Sequence, residues 1–392
     1  MEPTPSKGTP VRPFRSVTTY QQLTDLRERL ARTRFPPALS GSAWTHGTPP
    51  DYLAELLTYW RVVFDWGAAE QRINALPQFL AEVGGTTVHF VHAKGIGPKP
   101  FPLLFSHGWP GSFFEVHRII GPLTEPAAHG GDPADAFDLI APSLPGYGFS
   151  PHPGTPGLSP QAIATLFDRL MTEVLGYERY GAQGGDWGAM ITTALARDHG
   201  EHLAGIHLNL LGALPVLDEN SLPLTSAERA FLAKIGQWQA EEGAYSLLQG
   251  TKPATLAAAL SDSPAGLAAW MVEKFRAWSD CGGDVESVFS KDELLTTITL
   301  YWLTNTAATS TRLYYEAQHN EGMLAPGYVD TPTGFASFAH EIMTPPEEFV
   351  RRGYNLTRFT EFERGGHFAA LERPEELVAD IREFFRPLRA PL

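Results

Sequence analysis

The alternation of short strand-like runs with helix-like segments is the feature of this 392-residue chain that most restricts its fold. Residues 87–92 alternate between apolar and polar side chains, as in a strand. Four short apolar runs follow, at residues 103–106, 139–141, 180–183 and 206–210. Buried strands that alternate with helices indicate a mostly parallel sheet covered on both faces. We therefore predict an α/β protein.

The pattern changes after Pro215, because the chain reads as helices only up to about residue 327. The best helix candidates there are residues 226–241, 255–260, 267–278 and 292–316. Strand patterns return at residues 335–339 and 356–362, and a helix at 375–385 closes the chain. A helical insert in a parallel sheet predicts a lid over the carboxyl ends of the strands, where open α/β sheets bind ligands.

The N-terminal region contains two amphipathic helix patterns, at residues 20–34 and 51–64. The first residues are rich in Pro, Ser, Thr and Gly, which is typical of disorder. The expected organisation is a disordered tail at 1–13, an N-terminal helical region at 14–92, the first part of the core at 93–215, the lid at 216–327 and the second part of the core at 328–392.

Composition limits the partners and the compartment. The net charge of −14 provides no basic field for a nucleic-acid backbone. No stretch reaches the roughly 18 apolar residues of a membrane span, so we expect no membrane anchor. The single cysteine, Cys281, excludes an internal disulfide and fits a reducing compartment. We expect a soluble cytoplasmic protein, and the sequence is compatible with a homo-oligomer.

The sharpest local signal is Gly-Gly-Asp-Trp-Gly at residues 184–188. A predicted strand precedes it and a predicted helix follows. Small residues on both sides of Asp186 allow a tight strand-to-helix turn that presents its side chain above the sheet. This is the arrangement of a nucleophile elbow, with Asp in the place of the usual Ser. The alternative interpretation is a helix N-cap in an ordinary glycine turn.

A second signal is Ser-His-Gly-Trp-Pro-Gly-Ser at residues 106–112, directly after a predicted strand. A loop in this position supplies one backbone N–H of an oxyanion hole, and the residue after the nucleophile supplies the other. The predicted donors are therefore the main chains of Trp109 and Trp187. Pro110 has no N–H and cannot contribute.

A third signal is His367, which lies in a glycine loop after the last predicted strand, where a catalytic base is expected. Its acid partner has four candidates. Glu361 and Glu363 lie on or beside the strand that leads to the histidine, and their side chains would have trouble reaching its ring. Glu341 follows the strand at 335–339, at the carboxyl rim of the sheet, and is our choice. Asp330 is the alternative, and a solvated loop carboxylate is the other interpretation of Glu341.

These motifs resemble the microsomal-type epoxide hydrolases of the α/β-hydrolase superfamily, in a soluble, bacterial-like version. The resemblance runs from about residue 14 to 385 and includes the motifs at 107–112, 184–188 and 365–370, together with the N-terminal stretches at 60–66 and 76–79. Glu341 precedes His367 by 26 residues, which is similar to the family spacing. The resemblance implies an α/β-hydrolase fold with a helical lid and an N-terminal helical extension.

The resemblance also implies two catalytic tyrosines in the lid. The segment 245–253 matches the family segment that holds the first, at Tyr245, and the segment 312–316 matches the one that holds the second, at Tyr314. Periodicity does not choose among Tyr301, Tyr314 and Tyr315. In one continuous helix, Tyr301 and Tyr315 would share a face while Tyr314 points elsewhere.

The implied reaction opens an epoxide to a vicinal diol. Asp186 attacks a ring carbon while the two lid tyrosines donate hydrogen bonds to the departing oxygen. His367, oriented by Glu341, then activates a water that hydrolyses the resulting ester. The partners are a small-molecule epoxide and water, and neither a metal nor an organic cofactor is expected.

The main alternative is a haloalkane or haloacid dehalogenase, which uses the same Asp nucleophile. The tyrosines argue against it, because a halide leaving group needs no proton. A hydrolase fold kept only for binding is disfavoured because every expected site position is filled. A serine esterase is disfavoured because Gly-x-Ser-x-Gly does not occur. His89 and His92 would face opposite sides of a strand, which disfavours a metal site there.

Overall fold

The computed structural model describes residues 11–37, 39, 41, 43–219, 221–320 and 327–389. Its centre is a nine-stranded sheet with the strand order β1-β2-β3-β5-β4-β6-β7-β8-β9. The strands are β1 (Arg12–Pro13), β2 (Gln78–Val83), β3 (Thr86–Ala93), β4 (Phe101–Ser106), β5 (Phe137–Pro142), β6 (Tyr180–Gly184), β7 (Leu203–Leu208), β8 (Val329–His340) and β9 (Tyr354–Gly366).

The sheet is mostly parallel, as the sequence predicts. Neighbouring strands from β5 to β9 run parallel, whereas β1, β2 and β3 form an antiparallel end. All residues of β5, β6 and β7 are buried, as expected for strands that helices cover on both faces. The predicted α/β-hydrolase fold is confirmed.

Sixteen α-helices surround the sheet within the described residues. They are α1 (Tyr20–Ala31), α2 (Pro50–Val62), α3 (Trp66–Asn74), α4 (Ile120–Thr124), α5 (Pro160–Arg169), α6 (Trp187–Asp198), α7 (Ser226–Glu242), α8 (Ala244–Thr251), α9 (Pro253–Asp262), α10 (Pro264–Trp278), α11 (Lys291–Thr304), α12 (Thr306–Ser310), α13 (Arg312–His319), α14 (Glu347–Gly353), α15 (Ala369–Glu372) and α16 (Pro374–Phe385).

The N-terminal region differs from the helical extension expected at residues 14–92. It contributes β2 and most of β3 to the sheet, in addition to helices α1 to α3. Strand β1 pairs Arg12 with Leu80 and Pro13 with Phe79, so these two residues do not belong to a disordered tail. Residues 1–10 of that expected tail lie outside the described residues. The helices α1 and α2 reach the lid through hydrogen bonds, from Arg29 to Asp262 at 2.7 Å and from Tyr59 to Asp292 at 3.0 Å.

The lid between β7 and β8 contains α7 to α13. The prediction of its last helix is wrong in one respect. Residues 292–316 form three helices instead of one, and the first break is at Asn305, which takes a left-handed conformation with φ of 55°. Asn tolerates this region better than most residues, since its short side chain can bond locally. The break separates Tyr301 from Tyr314, so a shared helix face cannot be assigned across it. Residues 321–326, near the expected end of the lid, lie outside the described residues.

The longest helix among the described residues is α7, with 17 residues. No helix among these residues is both long enough and apolar enough to span a membrane.

Candidate active site

Asp186 sits at the tip of the turn between β6, which ends at Gly184, and α6, which begins at Trp187. Its backbone has φ of 49° and ψ of −130°, a region that costs a non-glycine residue free energy. A side chain at Gly188 would overlap the carbonyl oxygen of Ser106, so only glycine lets α6 begin this close to β4. Asp186 occupies the N-cap position of α6, but its side chain makes no N-cap hydrogen bond.

The two oxygens of the Asp186 carboxylate have different partners. The backbone N–H of Trp109 donates to Oδ1 at 2.8 Å. The imidazole Nε2 of His367 lies 3.2 Å from Oδ2. Trp187 is the first residue of α6, where a backbone N–H has no carbonyl of a preceding turn to bond. One oxygen therefore lies at the predicted oxyanion site, and the other is adjacent to the histidine.

The loop that carries Trp109 is shaped by His107. Burial lowers the pKa of His107 to about 4, so its ring is neutral. The backbone N–H of Leu144 donates to Nε2 at 3.2 Å, which leaves Nδ1 protonated and able to donate to the Gly108 carbonyl at 3.0 Å. The histidine of this motif thus fixes the backbone that aims the Trp109 N–H.

His367 and Glu341 meet because they follow two neighbouring parallel strands. Glu341 comes directly after β8 and His367 directly after β9, so both leave the sheet at its carboxyl edge. The His367 Nδ1 and the Glu341 Oε1 are 2.6 Å apart, and the two side chains are only 3% and 1% exposed. Asp330, at the opposite end of β8, is exposed, as are Glu361 and Glu363. The structure pairs the histidine with the acid that we chose.

The charge state of His367 follows from these neighbours. Burial by itself lowers the pKa of the imidazole. The charge of Glu341 and the hydrogen bonds with Asp186 and Glu341 outweigh burial, so the pKa of His367 is raised well above its usual value. The histidine is therefore a strong base while both carboxylates are ionised.

The loop of His367 is tied to the end of the lid helix α10. The backbone N–H of His367 donates to the Trp278 carbonyl at 2.9 Å, and the N–H of Gly365 donates to the Asp280 carboxylate at 3.0 Å. Glu372 accepts hydrogen bonds from the N–H groups of Asp280 and Phe368. The position of the imidazole thus depends on both the sheet and the lid.

The two predicted tyrosines lie together above the tryptophans of the site. Tyr245 of α8 stacks on Trp109 with ring centroids 5.4 Å apart, and Tyr314 of α13 meets Trp187 edge-on at 4.6 Å. Burial raises the pKa of both phenols, and the charge of Asp186 contributes in each case. Both hydroxyl groups therefore stay protonated and lie within electrostatic range of the nucleophile.

The other lid tyrosines are used differently. Tyr301 is buried and donates a hydrogen bond to the Gly111 carbonyl at 2.7 Å, which supports the oxyanion loop. Tyr315 is 40% exposed. Among the three tyrosines that periodicity left open, Tyr314 is thus the one whose ring contacts Trp109 and Trp187.

Two residues beside the site were missed by the sequence reasoning. Glu115 lines the cavity next to Asp186, and its spacing from Ser112 is a capping-box signal that could have indicated its inward position. Lys274 of α10 is 6% exposed and places its ammonium 4.8 Å from the centre of the Tyr245 ring. A single lysine on a predicted helix gives no sequence signal of burial.

The described part of the chain contains no group of three or more His, Cys, Asp or Glu side chains placed to hold a metal ion. His89 contacts the Ser143 hydroxyl and the Gln78 amide, whereas His92 contacts the Tyr177 hydroxyl at 3.1 Å. These separate partners agree with the predicted opposite directions of the two rings.

Comparison with protein families supplies two matches along the chain. The family model described as "Epoxide hydrolase N terminus" matches residues 11–116, and the model described as "alpha/beta hydrolase fold" matches residues 102–239. A "Putative epoxide hydrolase" of Stigmatella aurantiaca is 43% identical, over 97% of this chain and 86% of the relative. "Epoxide hydrolase 1" of Oryctolagus cuniculus is 38% identical, over 95% of this chain and 88% of the relative.

Solved structures show the same likeness in three dimensions. The juvenile hormone epoxide hydrolase of the silkworm Bombyx mori superposes with a TM-score of 0.87 at 32% identity, over 97% of this chain and 95% of that one. The Aspergillus niger epoxide hydrolase superposes with a TM-score of 0.85 at 30% identity, over 97% of both chains. The likeness therefore includes the N-terminal region, the core and the lid.

Proposed function

The chain belongs to the epoxide hydrolase family of the α/β-hydrolases, and we propose that its own Asp186, His367 and Glu341, with two lid tyrosines, hydrolyse an epoxide to a vicinal diol. The observation that carries this assignment is the placement of the Asp186 carboxylate. One of its oxygens accepts the Trp109 N–H, and the other faces His367. The reaction proceeds through an ester between the substrate and Asp186.

In the first step, the Asp186 Oδ2 attacks a carbon of the epoxide ring. The C–O bond of the ring breaks, and its electron pair moves to the epoxide oxygen. Tyr245 and Tyr314 donate hydrogen bonds to that oxygen as its charge develops, and one of the two phenols transfers its proton to it. Their raised pKa values keep the protons available in the ground state. The Oδ1 atom remains in the oxyanion site and becomes the carbonyl oxygen of the ester.

In the second step, His367 takes a proton from a water molecule whose oxygen attacks Cγ of Asp186. The electron pair of the carbonyl moves to Oδ1, where the N–H groups of Trp109 and Trp187 stabilise the negative charge. Collapse of this intermediate breaks the bond between Cγ and Oδ2. The imidazolium gives its proton to the leaving oxygen, Oδ2, and the diol is released. The second proton of the water, left on the new Asp186 carboxyl group, restores the tyrosine phenol, so that the nucleophile and the proton donor are both regenerated.

The order of the two steps fits the electrostatics of His367. Burial has the largest effect on the pKa of the imidazole and lowers it, and the charge of Glu341 comes next and raises it. The Asp186 anion raises this pKa further. Formation of the ester removes that anion and lowers the pKa again. The histidine is thus readier to be neutral when it must accept a proton from water.

The assignment is tested by comparing wild-type protein with Asp186→Ala on styrene oxide and on a bromoalkane. We expect wild type to form diol without releasing bromide, and the variant to form no diol because it lacks the nucleophile. Circular dichroism of both proteins controls for folding. Bromide release without diol formation would favour a dehalogenase, and diol formation by the variant would remove Asp186 from the mechanism.

The partners of the reaction are a small-molecule epoxide and water. We also assign the protein to the cytoplasm, on the basis of its single thiol, because Cys281 is free and buried and fits a reducing compartment. Fractionation of cells that produce the untagged protein would check this location.

A further inference from the structure

Glu115 is a buried titratable group beside the nucleophile for which the two-step mechanism has no use. It belongs to the short 3₁₀ helix Phe113–Arg118, directly after the oxyanion loop. Its Oε1 accepts a hydrogen bond from the backbone N–H of Ser112 at 3.1 Å, which completes a capping box. Its second oxygen, Oε2, has no hydrogen-bond donor among the residues that the structure describes.

The carboxyl group extends back towards the active site. A side chain at Gly111 would overlap Glu115 Oε1, so the carboxyl occupies the space above this glycine of the loop. The same cavity is lined by Glu115, Asp186 and His367. Its volume is about 20 Å³, and one buried water needs roughly 10–15 Å³ and two to four polar partners. The cavity that these three residues help to line therefore has space for a single water.

The hydrolysis step needs such a site, because an attacking water has two protons to direct. One must point at His367 Nε2, which removes it. If the other also has a fixed acceptor, a lone pair of the oxygen is aimed at Cγ of Asp186. The Oε2 atom of Glu115, which the capping box does not use, is such an acceptor among the described residues that line the cavity.

We propose that Glu115 holds the hydrolytic water through Oε2 and orients it between His367 and the esterified Asp186. This inference rests on the proposed function, since it assigns a residue to the second step of that reaction. The water gives one proton to His367 and forms the bond to Cγ. Glu115 accepts a hydrogen bond throughout and takes no proton. It is thus a catalytic residue for ester hydrolysis only.

The charges around Glu115 agree with this role. Burial raises the pKa of Glu115 to about 8, whereas the charge of His367 and the Ser112 N–H oppose that rise. The negative charge of Asp186 is a smaller contribution to the rise. Above about pH 8 the carboxylate is ionised, and both of its oxygens can then accept hydrogen bonds.

The test is Glu115→Gln, which keeps the volume and an oxygen for the Ser112 N–H but removes the negative charge. Single-turnover mixing with styrene oxide, followed by intact-protein mass spectrometry, measures ester formation and ester decay separately. We expect formation at the wild-type rate and decay slowed by about 100-fold, as is typical when a reacting group loses its positioning. The ester should then accumulate on the variant.

The matched control is Ser112→Ala, which breaks the capping box at its serine and leaves the Glu115 carboxyl in place. It removes the hydroxyl that accepts the Phe114 N–H at 3.2 Å. We expect both variants to lower the melting temperature, but only Glu115→Gln to slow ester decay. Equal slowing of both steps in both variants would show that the capping box acts only on the shape of the loop, and would overturn the proposal.

Wild-type ester decay in Glu115→Gln would overturn it as well. If neither wild type nor the variant forms an ester, it is the proposed function that fails. The two failures are therefore distinguished by the mass of the wild-type protein during turnover.

Discussion

Two buried histidine–carboxylate pairs lie in this molecule, His367 with Glu341 and His207 with Asp380. Their ring nitrogens approach the carboxylates to 2.6 Å and 2.9 Å, and none of the four side chains is more than 3% exposed. The pairs differ in what the second nitrogen meets. The His367 Nε2 faces the Asp186 carboxylate, whereas the His207 Nδ1 is buried without a hydrogen-bond partner among the described residues.

The carboxylates differ in the same way. Asp380 also accepts hydrogen bonds from Thr360 and Arg358, at 2.7 Å each, and it joins α16 to β7 and β9. Among the residues that the structure describes, the Glu341 carboxylate has the N–H of its neighbour Ile342 as its one hydrogen-bond partner besides the histidine. The Asp380 pair is enclosed by structural partners, while the Glu341 pair opens onto a nucleophile. A buried pair becomes catalytic through what its free nitrogen can reach.

The largest expected effect separates these two histidines directly. His367→Gln should reduce turnover by about 10⁴-fold, because general-base catalysis contributes up to that amount. Ester formation should continue, so the added mass of the substrate should persist on the protein. His207→Gln should leave both steps unchanged in the folded protein and lower its melting temperature. A loss of turnover in folded His207→Gln would break the comparison.

A smaller effect is expected on the lid side of the nucleophile. Tyr314→Phe and Tyr245→Phe should each slow ester formation by roughly 10- to 100-fold, since a hydrogen bond to a charged group is worth about 1.5–3 kcal/mol. Activity should remain, because the second phenol still donates. Ester decay should be unchanged, which single-turnover mass measurements can check.

Tyr315→Phe is the matched control for the tyrosines, because its ring is 40% exposed on the same helix as Tyr314. It should behave as wild type. A tyrosine variant that slows ester decay alone would contradict the division of labour between the lid and the histidine.

The smallest expected effect needs no mutation and is measured by varying the pH. Ester hydrolysis requires neutral His367, so its rate should rise with pH as the imidazolium loses its proton and fall at lower pH. Ester formation does not use His367 as a base, so its rate should not follow the loss of the imidazolium proton. The fraction of wild-type enzyme held as ester should therefore increase on acidification. A steady-state ester that stays constant across this range would contradict the assignment of His367 as the base.

Glu341→Gln sharpens this pH test. The charge of Glu341 is the largest influence that raises the pKa of His367 against burial. Its loss should lower that pKa and move the rise of the hydrolysis rate to lower pH. An unshifted profile would mean that Glu341 orients the ring without tuning its charge.

Much of this site was predictable because its motifs combine local backbone rules with fold position. Glycines around Asp186 and the late histidine indicate turns at strand ends, and the parallel sheet brings those ends together. Glu341 was predictable because it follows a strand that neighbours the strand of His367. The two lid tyrosines, Tyr245 and Tyr314, were predicted from the family resemblance alone, since the helical periodicity of the sequence does not select Tyr314.

The failures have physical causes that a single sequence hides. The left-handed residue Asn305 breaks a pattern that remains periodic on both sides, so one helix was predicted where three occur. Strand β2 in the N-terminal region was missed, because tertiary pairing with β3 decides what a short mixed segment becomes. Glu115 and Lys274 were missed since polar residues are expected on the surface, and only the fold shows that they point inward.

The most direct test of the covalent mechanism is one limiting turnover in water enriched in ¹⁸O. Nucleophilic attack by Asp186 predicts that the first diol carries unlabelled oxygen from the carboxylate. The label should then be found in the peptide that contains Asp186. A first diol that carries ¹⁸O, with an unlabelled Asp186 peptide, would mean direct attack by water and would contradict the account.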